Sequence, residues 1–198
     1  GFGAAAINAS VSDNNIRNVI EADIRGDSLV SAGDDITLQA LDTATIDAIT
    51  LSLAGGAAGA LGGAVIVNDV ANNTKAYIEG TSAAAKAEIS SADLVTITAD
   101  SDYTLNALSL SATGAGVAVG VSEAKTTVAG TTLAYVGDFT AIGMTVGESV
   151  NSLNITADSD ITATSKSYGL SAGLVAGTGN EASATITPTI SAFIGDAD

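Results

Sequence analysis

The sequence contains no cysteine, no histidine and no tryptophan, and it has a single proline. Without cysteine and histidine the chain cannot form Ser-His-Asp or Cys-His catalytic groups or the usual zinc sites. Catalysis by paired carboxylates is the enzymatic chemistry that these absences leave open. The structure also has to be closed by backbone hydrogen bonds, since no disulfide can form.

Basic residues are scarce as well, because six Lys and Arg stand against 22 Asp and Glu and give a net charge of −16. A surface that binds DNA or RNA needs a basic face. We therefore exclude nucleic acid as a partner. Strong self-repulsion favours solubility in an extracellular setting.

Aromatic residues are few, with three Phe and four Tyr, so the core has to be built from Ala, Val, Ile and Leu. The 22 Gly and the abundant Ser and Thr are typical of narrow strands joined by tight corners. Gly, Thr, Ser, Asn and Asp are poor residues for a helix interior, and no long stretch avoids them. Composition therefore predicts an all-β chain.

What the sequence does have is internal repetition, with a period of about 58 residues. The tripeptide A-Y-I at 76–78 returns as A-Y-V at 134–136 and as A-F-I at 192–194, and T-A-D-S-D at 98–102 returns at 156–160. Such a period predicts an array in which each unit buries its apolar face against its neighbours. We interpret 1–198 as one continuous array with approximate repeats 1–54, 55–113, 114–173 and a partial repeat 174–198. Because it starts in mid-pattern and without an initiator Met, we expect it to be a fragment of a longer chain.

Apolar and polar residues alternate inside each repeat, as in V-T-I-T-A-D at 95–100, and this alternation predicts strands. The strand centres lie about 19 residues apart. This spacing predicts a right-handed parallel β-solenoid, or β-helix, with ~19-residue rungs and three rungs per repeat. Some ten rungs would form a rod roughly 50 Å long. The alternative is a tandem of antiparallel β-sandwich modules, for which such a unit is short.

One uncharged stretch, 48–67, contains G-x-x-x-G at 55–59 and at 59–63, a pattern found in packed membrane helices. It is rich in Gly, Ala and Ser, and related segments recur at 108–112 and 169–173. We therefore interpret it as the low-volume core of a repeat and predict no transmembrane segment.

Three segments carry a resemblance to a known class of protein: N-N-T-K-A-Y-I-E-G at 72–80, V-T-I-T-A-D-S-D at 95–102 and L-S-L-S-A-T-G-A-G at 108–116. Together they resemble the repeats of large bacterial filamentous adhesins, which are leukotoxin-like and haemagglutinin-like surface proteins exported through the outer membrane. The resemblance covers nearly the whole chain, and 1–54 is the most divergent part. It implies a β-helical shaft at or beyond the cell surface, and it carries no catalytic residues.

Paired acids recur at Asp100 and Asp102 and again at Asp158 and Asp160. They are the candidates for carboxylate catalysis of polysaccharide cleavage. A repeated pair favours a structural role, because an active site is needed only once, and we predict no enzymatic activity and no required cofactor. The same four acids are weak candidates for calcium, because the G-G-x-G-x-D and D-x-D-x-D-G loops that bind this ion are missing. Solvated surface charge is the alternative interpretation.

The aromatic positions Tyr77, Tyr135 and Phe193 recur once per repeat. If the flanking residues Ala76 and Ile78 face inward, the aromatic rings face outward at intervals of about 14 Å along the rod. The rings either lie under loops of their own repeats or form a stripe for lateral contact with another filament or partner.

These observations predict a structural, non-enzymatic shaft segment of an extracellular bacterial fibre or adhesin that supports adhesion or contact between cells in a biofilm. Its expected partners are other copies of the same fibre or ligands of the cell surface or matrix. The alternatives are a repeated-surface binding module for a receptor or polysaccharide and, less favoured, a polysaccharide-cleaving β-helix.

Overall fold

The computed structural model describes residues 2–144, 146–147 and 149–195, so both ends of the predicted 1–198 array lie outside the described residues. The described chain is almost entirely strand, as composition predicts. Its strands are β1 Phe2–Ile16, β2 Val19–Arg25, β3 Ser28–Ser31, β4 Ile36–Glu79, β5 Ala87–Gly114, β6 Val117–Val136, β7 Thr140–Ile142, β8 Val150–Ala172, β9 Val175–Ile186 and β10 Thr189–Ile194.

The strands pair in parallel, and each residue pairs with its equivalent in the next repeat. Ile36 of β4 pairs with Val95 of β5, and Val95 in turn pairs with Leu153 of β8. Antiparallel pairing in the described residues is confined to an isolated bridge between Ser82 and Ala85. The sheet is therefore parallel, and antiparallel sandwich modules are excluded.

The short rung predicted from the spacing of strand centres is wrong, because hydrogen-bonded partners are a whole repeat apart. Strands do recur at short intervals, but successive strands fold onto different faces of the same unit instead of pairing with each other. The chain returns to its starting point only after a full unit. The described residues therefore form about four stacked rows, about 19 Å high, rather than ten rows in a rod of ~50 Å.

Each unit consists of two long limbs and a short third strand. The first limbs are 36–55, 95–114 and 153–172; the second limbs are 2–25, 59–78, 117–136 and 175–194; the short strands are 28–31, 87–91 and 140–142. A limb of some 20 residues is about 66 Å long. The first limb passes into the second at a bend at residues 115–116 and 173–174. In β4, which is continuous, the corresponding change from first-limb to second-limb pairing falls at residues 56–58. The predicted repeat boundaries fall beside these bends.

The inner faces of the two limbs lie against each other. Asn72 Nδ2 of a second limb donates to Asp42 Oδ2 of a first limb at 2.7 Å. Ser109 Oγ donates to the Ala64 carbonyl at 2.7 Å. Side chains that alternate along each limb therefore fill a narrow interior, while their neighbours face solvent.

The interior narrows from the short strands toward the bend. At the wide end Ile78, Ile89 and Ile97 are fully buried, where three ladders meet. Near the bend the core contains Ala54 and Ala60 instead. A Cβ added at Gly62 would lie 2.7 Å from Thr113 Cγ2, so the limbs approach too closely there for a larger residue. The small residues of 48–67 are thus part of strand β4. None of the described residues forms a helix long and apolar enough to cross a membrane.

Candidate functional site

The three recurrent aromatic rings form a continuous stack. Parallel pairing places Tyr77 beside Tyr135 and Tyr135 beside Phe193. The ring centroids are 5.0 Å and 4.9 Å apart, and the ring planes are 4° and 3° from parallel. The predicted interval of about 14 Å is wrong, because one ring is contributed per row and rows are one strand apart.

The rings lie on the outer face of the second limbs, since Ala76 and Ile78 on either side of Tyr77 are fully buried. Tyr77 is nevertheless only 6% exposed. Arg25 Nη1 donates to the Tyr77 hydroxyl at 3.3 Å, and Arg25 Nε also pairs with Asp23 at 3.0 Å. Stacking and this ion pair therefore cover an outward ring. Lateral contact through Tyr77, Tyr135 and Phe193 stays a prediction.

The environment of the stack disfavours phenolate. Burial raises the pKa of Tyr77, and the carboxylates of Glu21 and Asp23 raise it further. Burial, followed by the charge of Glu79, raises the pKa of Tyr135 to about 12. The Tyr135 hydroxyl donates to Glu79 Oε2 at 3.4 Å. The stack is thus a neutral aromatic column beside carboxylates.

The repeated acids form two short ladders on the outer face of the first limbs. Asp100 pairs with Asp158, and Asp102 pairs with Asp160. The preceding row has Leu41 and Thr43 at these positions, so the ladders do not extend to it. Among the described residues, no three His, Cys, Asp or Glu side chains are close enough to hold a metal ion together. Calcium binding by these four acids stays a prediction.

A buried carboxylate in the interior was missed by the sequence analysis. Asp42 is 6% exposed, and its Oδ2 accepts hydrogen bonds from the Tyr103 hydroxyl at 2.6 Å and from Asn72 Nδ2 at 2.7 Å. Burial, with the hydrogen bond to Asp42, raises the pKa of Tyr103. Apolar and polar residues also alternate in I-T-L-Q-A at 36–40, and this alternation, continued by two residues, places Asp42 inside. It is the signal from which the buried acid could have been predicted.

This interior cluster joins the two limbs across the core. Asp42 and Tyr103 belong to first limbs, whereas Asn72 and Thr74 belong to a second limb. Thr74 Oγ1 lies 3.5 Å from Asp42 Oδ2 and accepts a hydrogen bond from Ser101 Oγ at 3.3 Å. Asp42 therefore has a structural role: it accepts hydrogen bonds from several buried donors, and leaving those donors unpaired would lower the free energy of unfolding.

Comparison with protein-family models, with curated proteins and with solved structures finds no match.

Proposed function

We propose that this chain is a structural, non-enzymatic shaft segment of an extracellular bacterial fibre or adhesin, wound as a right-handed parallel β-solenoid with one repeat unit per turn. The observation that carries the proposal is the constant register. Row after row, equivalent residues of successive units pair in parallel over whole limbs. A unit of this kind can be added at either edge of the stack without altering the rows already present.

Mechanical stiffness follows from the same register. Each added unit forms a backbone ladder along two long limbs, and side chains of the same kind stack along the growth direction. The Tyr77–Tyr135–Phe193 stack is one such column. Such a stack resists both bending and slippage, since a slip of one residue would move every inner side chain to the outer face.

The acidic composition supports an exposed, solvated position for the shaft. The net charge of −16 is carried largely by outward side chains such as Asp100 and Asp158. Mutual repulsion of shafts keeps them dispersed at low ionic strength. Antibodies against this chain should label the surface of intact cells of the source bacterium; labelling only after permeabilisation would contradict the extracellular part of the proposal.

The shaft proposal is tested by duplicating one unit. A second copy of residues 95–152, inserted after residue 152, should fold with its limbs in register and add one row of about 4.8 Å to the particle. A matched control duplicates half of the same unit, which places first-limb residues where second-limb residues belong. Small-angle scattering and thermal melting should show a folded, taller particle for the full unit and unfolding for the half unit. Equal tolerance of both insertions would overturn the proposal.

A further inference from the structure

The outer face of the first limbs is apolar next to the bend. Large apolar side chains point away from the core there on three successive rows. This apolar patch consists of Ile49, Leu51, Leu108, Leu110, Tyr168 and Leu170. The exposed fractions are 71% for Ile49, 55% for Leu51, 58% for Tyr168 and 68% for Leu170. Lys166, which pairs with Leu108, borders the patch.

The patch exists because the interior is too thin there to accept these side chains. Ser109 Oγ reaches the Ala64 carbonyl of the facing limb at 2.7 Å, and Ser167 Oγ reaches the Ser122 carbonyl at 2.6 Å. One serine side chain therefore spans the gap between the limbs. Inner positions near the bend take small residues, and the bulky apolar residues of the same limbs occupy outer positions.

Apart from Asp47 and Lys166 at the edge of the patch, the charges of this outer face lie away from it. The Asp100 and Asp102 ladders lie toward the other end of the limb, and the eight residues from Asp102 to Leu110 correspond to about 27 Å. The screening length at physiological ionic strength is ~8 Å. Two copies that meet only at the apolar patch therefore keep their acid ladders beyond the range of strong repulsion, even though each carries −16.

We propose that the patch is a contact surface for a second copy of this chain. The two copies meet face to face about a two-fold axis parallel to the stacking direction, so that their limbs point in opposite directions and overlap only at the bend ends. The rows of both copies then have the same spacing, and Leu51 of one copy lies over Leu51 of the other. This inference rests on the proposed shaft, because it names the shaft's partner as another shaft.

The size of the patch sets the strength of the contact. The six residues of the patch, two on each of three rows, cover about 200 Å². A standard stable interface needs about 800 Å² per partner. Residues 1–198 should therefore associate weakly, and each further unit should add about 65 Å². A weak contact of this kind is best detected by covalent trapping.

Cysteine trapping gives a matched test, since the chain has no cysteine of its own. The test variant is Leu51→Cys and the control is Leu41→Cys, because both leucines lie on the outer face of β4 and are 55% and 54% exposed. Leu41 pairs with Asp100, outside the patch. Under mild oxidation, Leu51→Cys should form disulfide-linked dimers about tenfold faster than Leu41→Cys, because burial of the remaining patch residues brings the two thiols together. Adding Leu110→Thr should slow Leu51→Cys toward the control rate.

Equal rates for the two cysteine variants, with circular dichroism unchanged, would overturn the inference. Sedimentation of the cysteine-free wild type and of Leu110→Thr provides a check that does not depend on the new thiols: self-association should rise with concentration in the wild type and fall in the variant. Flotation with neutral phosphatidylcholine vesicles by a protein that stays monomeric would assign the patch to lipid and also overturn it. If the full-unit duplication succeeds while trapping fails, the shaft stands and only this contact is wrong.

Discussion

The ring of Tyr135 lies flat on the ring of Tyr77, with centroids 5.0 Å apart and planes within 4° of parallel, although the two residues are a full repeat apart in the sequence. This contact requires that the chain complete a whole repeat before it returns to the same place. Because the ring of Phe193 continues the column at 4.9 Å, Tyr135 is stacked on both sides.

Loss of the central ring should therefore destabilise the fold. Tyr135→Ser removes two stacking contacts and the packing of a partly buried aromatic residue, and we expect a loss of about 1–3 kcal/mol in the free energy of unfolding. Tyr135→Phe should retain most of the wild-type stability. The control is Tyr168→Ser, at a tyrosine that is 58% exposed, for which a change within about 0.5 kcal/mol is expected. Equal destabilisation by both serine variants in urea unfolding would show that the stack adds nothing.

The raised pKa of Tyr135 predicts that stability falls at alkaline pH. Its pKa is about 12 in the folded chain and about 10 when unfolded. Below pH 10 both states hold the proton, and between pH 10 and 12 the folded state holds it more tightly. The stability that the raised pKa of Tyr135 provides is therefore fully present below pH 10 and is lost as the pH rises toward 12.

Unfolding measured across this range should show a smaller alkaline decline in Tyr135→Phe than in the wild type. Absorbance titration of phenolate should show one fewer late-titrating group in the variant. Glu79→Gln should lower the pKa of Tyr135, because it removes the nearest negative charge. An unchanged alkaline decline in Tyr135→Phe would contradict the assignment.

Asp42 should contribute to stability through the donors that it satisfies. Asp42→Ala leaves the Tyr103 hydroxyl and the Asn72 amide unpaired inside the core, which should cost about 2–4 kcal/mol. Asp47→Ala on the same strand is the control, since Asp47 is exposed and accepts one hydrogen bond from Asn106 at 2.8 Å. Its expected cost is below about 1 kcal/mol. Similar melting temperatures for the two variants would contradict the structural role of Asp42.

The stacked acids should respond to ionic strength rather than to calcium. Asp100 and Asp158 are like charges on directly paired residues, so Asp158→Asn should stabilise the chain by about 0.2–1 kcal/mol at low salt. Screening should remove this gain at high salt. Wild-type melting temperatures in calcium and in a chelator, at matched ionic strength, should agree. A higher melting temperature with calcium that Asp158→Asn abolishes would instead establish a calcium site.

The sequence was sufficient to predict strands, parallel pairing and the phase of individual segments. Alternation at 95–100 correctly predicts that Val95, Ile97 and Ala99 are buried. The repeat interval also identified Tyr77 and Tyr135 as equivalent residues, although the short rung placed their rings about 14 Å apart instead of in contact. The alternation of apolar and polar residues and the repeat interval can both be read directly from the sequence.

The length of a turn could not be read from the same periodicity. Strands that recur at short intervals give the same sequence pattern in two cases: when each strand belongs to its own short turn, and when several strands form the faces of one long turn. The length of a turn is set by the packing of one limb against the facing limb. That packing depends on pairs such as Asp42 and Asn72, which are remote in sequence. The outward position of Leu51 was missed although the alternation that places Asp42 inside also places Leu51 outside, and the thin interior near Gly62 is the physical reason for it.

The central claim, that a residue pairs with its equivalent one repeat away, is tested most directly by bridging two introduced thiols. Thr98 pairs with Thr156, whereas Val117 follows Thr98 by the length of the predicted short rung and lies on another limb. In the cysteine-free background, the double variant Thr98→Cys/Thr156→Cys should be bridged within one molecule by dibromobimane and become fluorescent, because paired residues on parallel strands are about 4.8 Å apart. The double variant Thr98→Cys/Val117→Cys should not. Bridging of the second pair and not the first would contradict the account and restore the short turn.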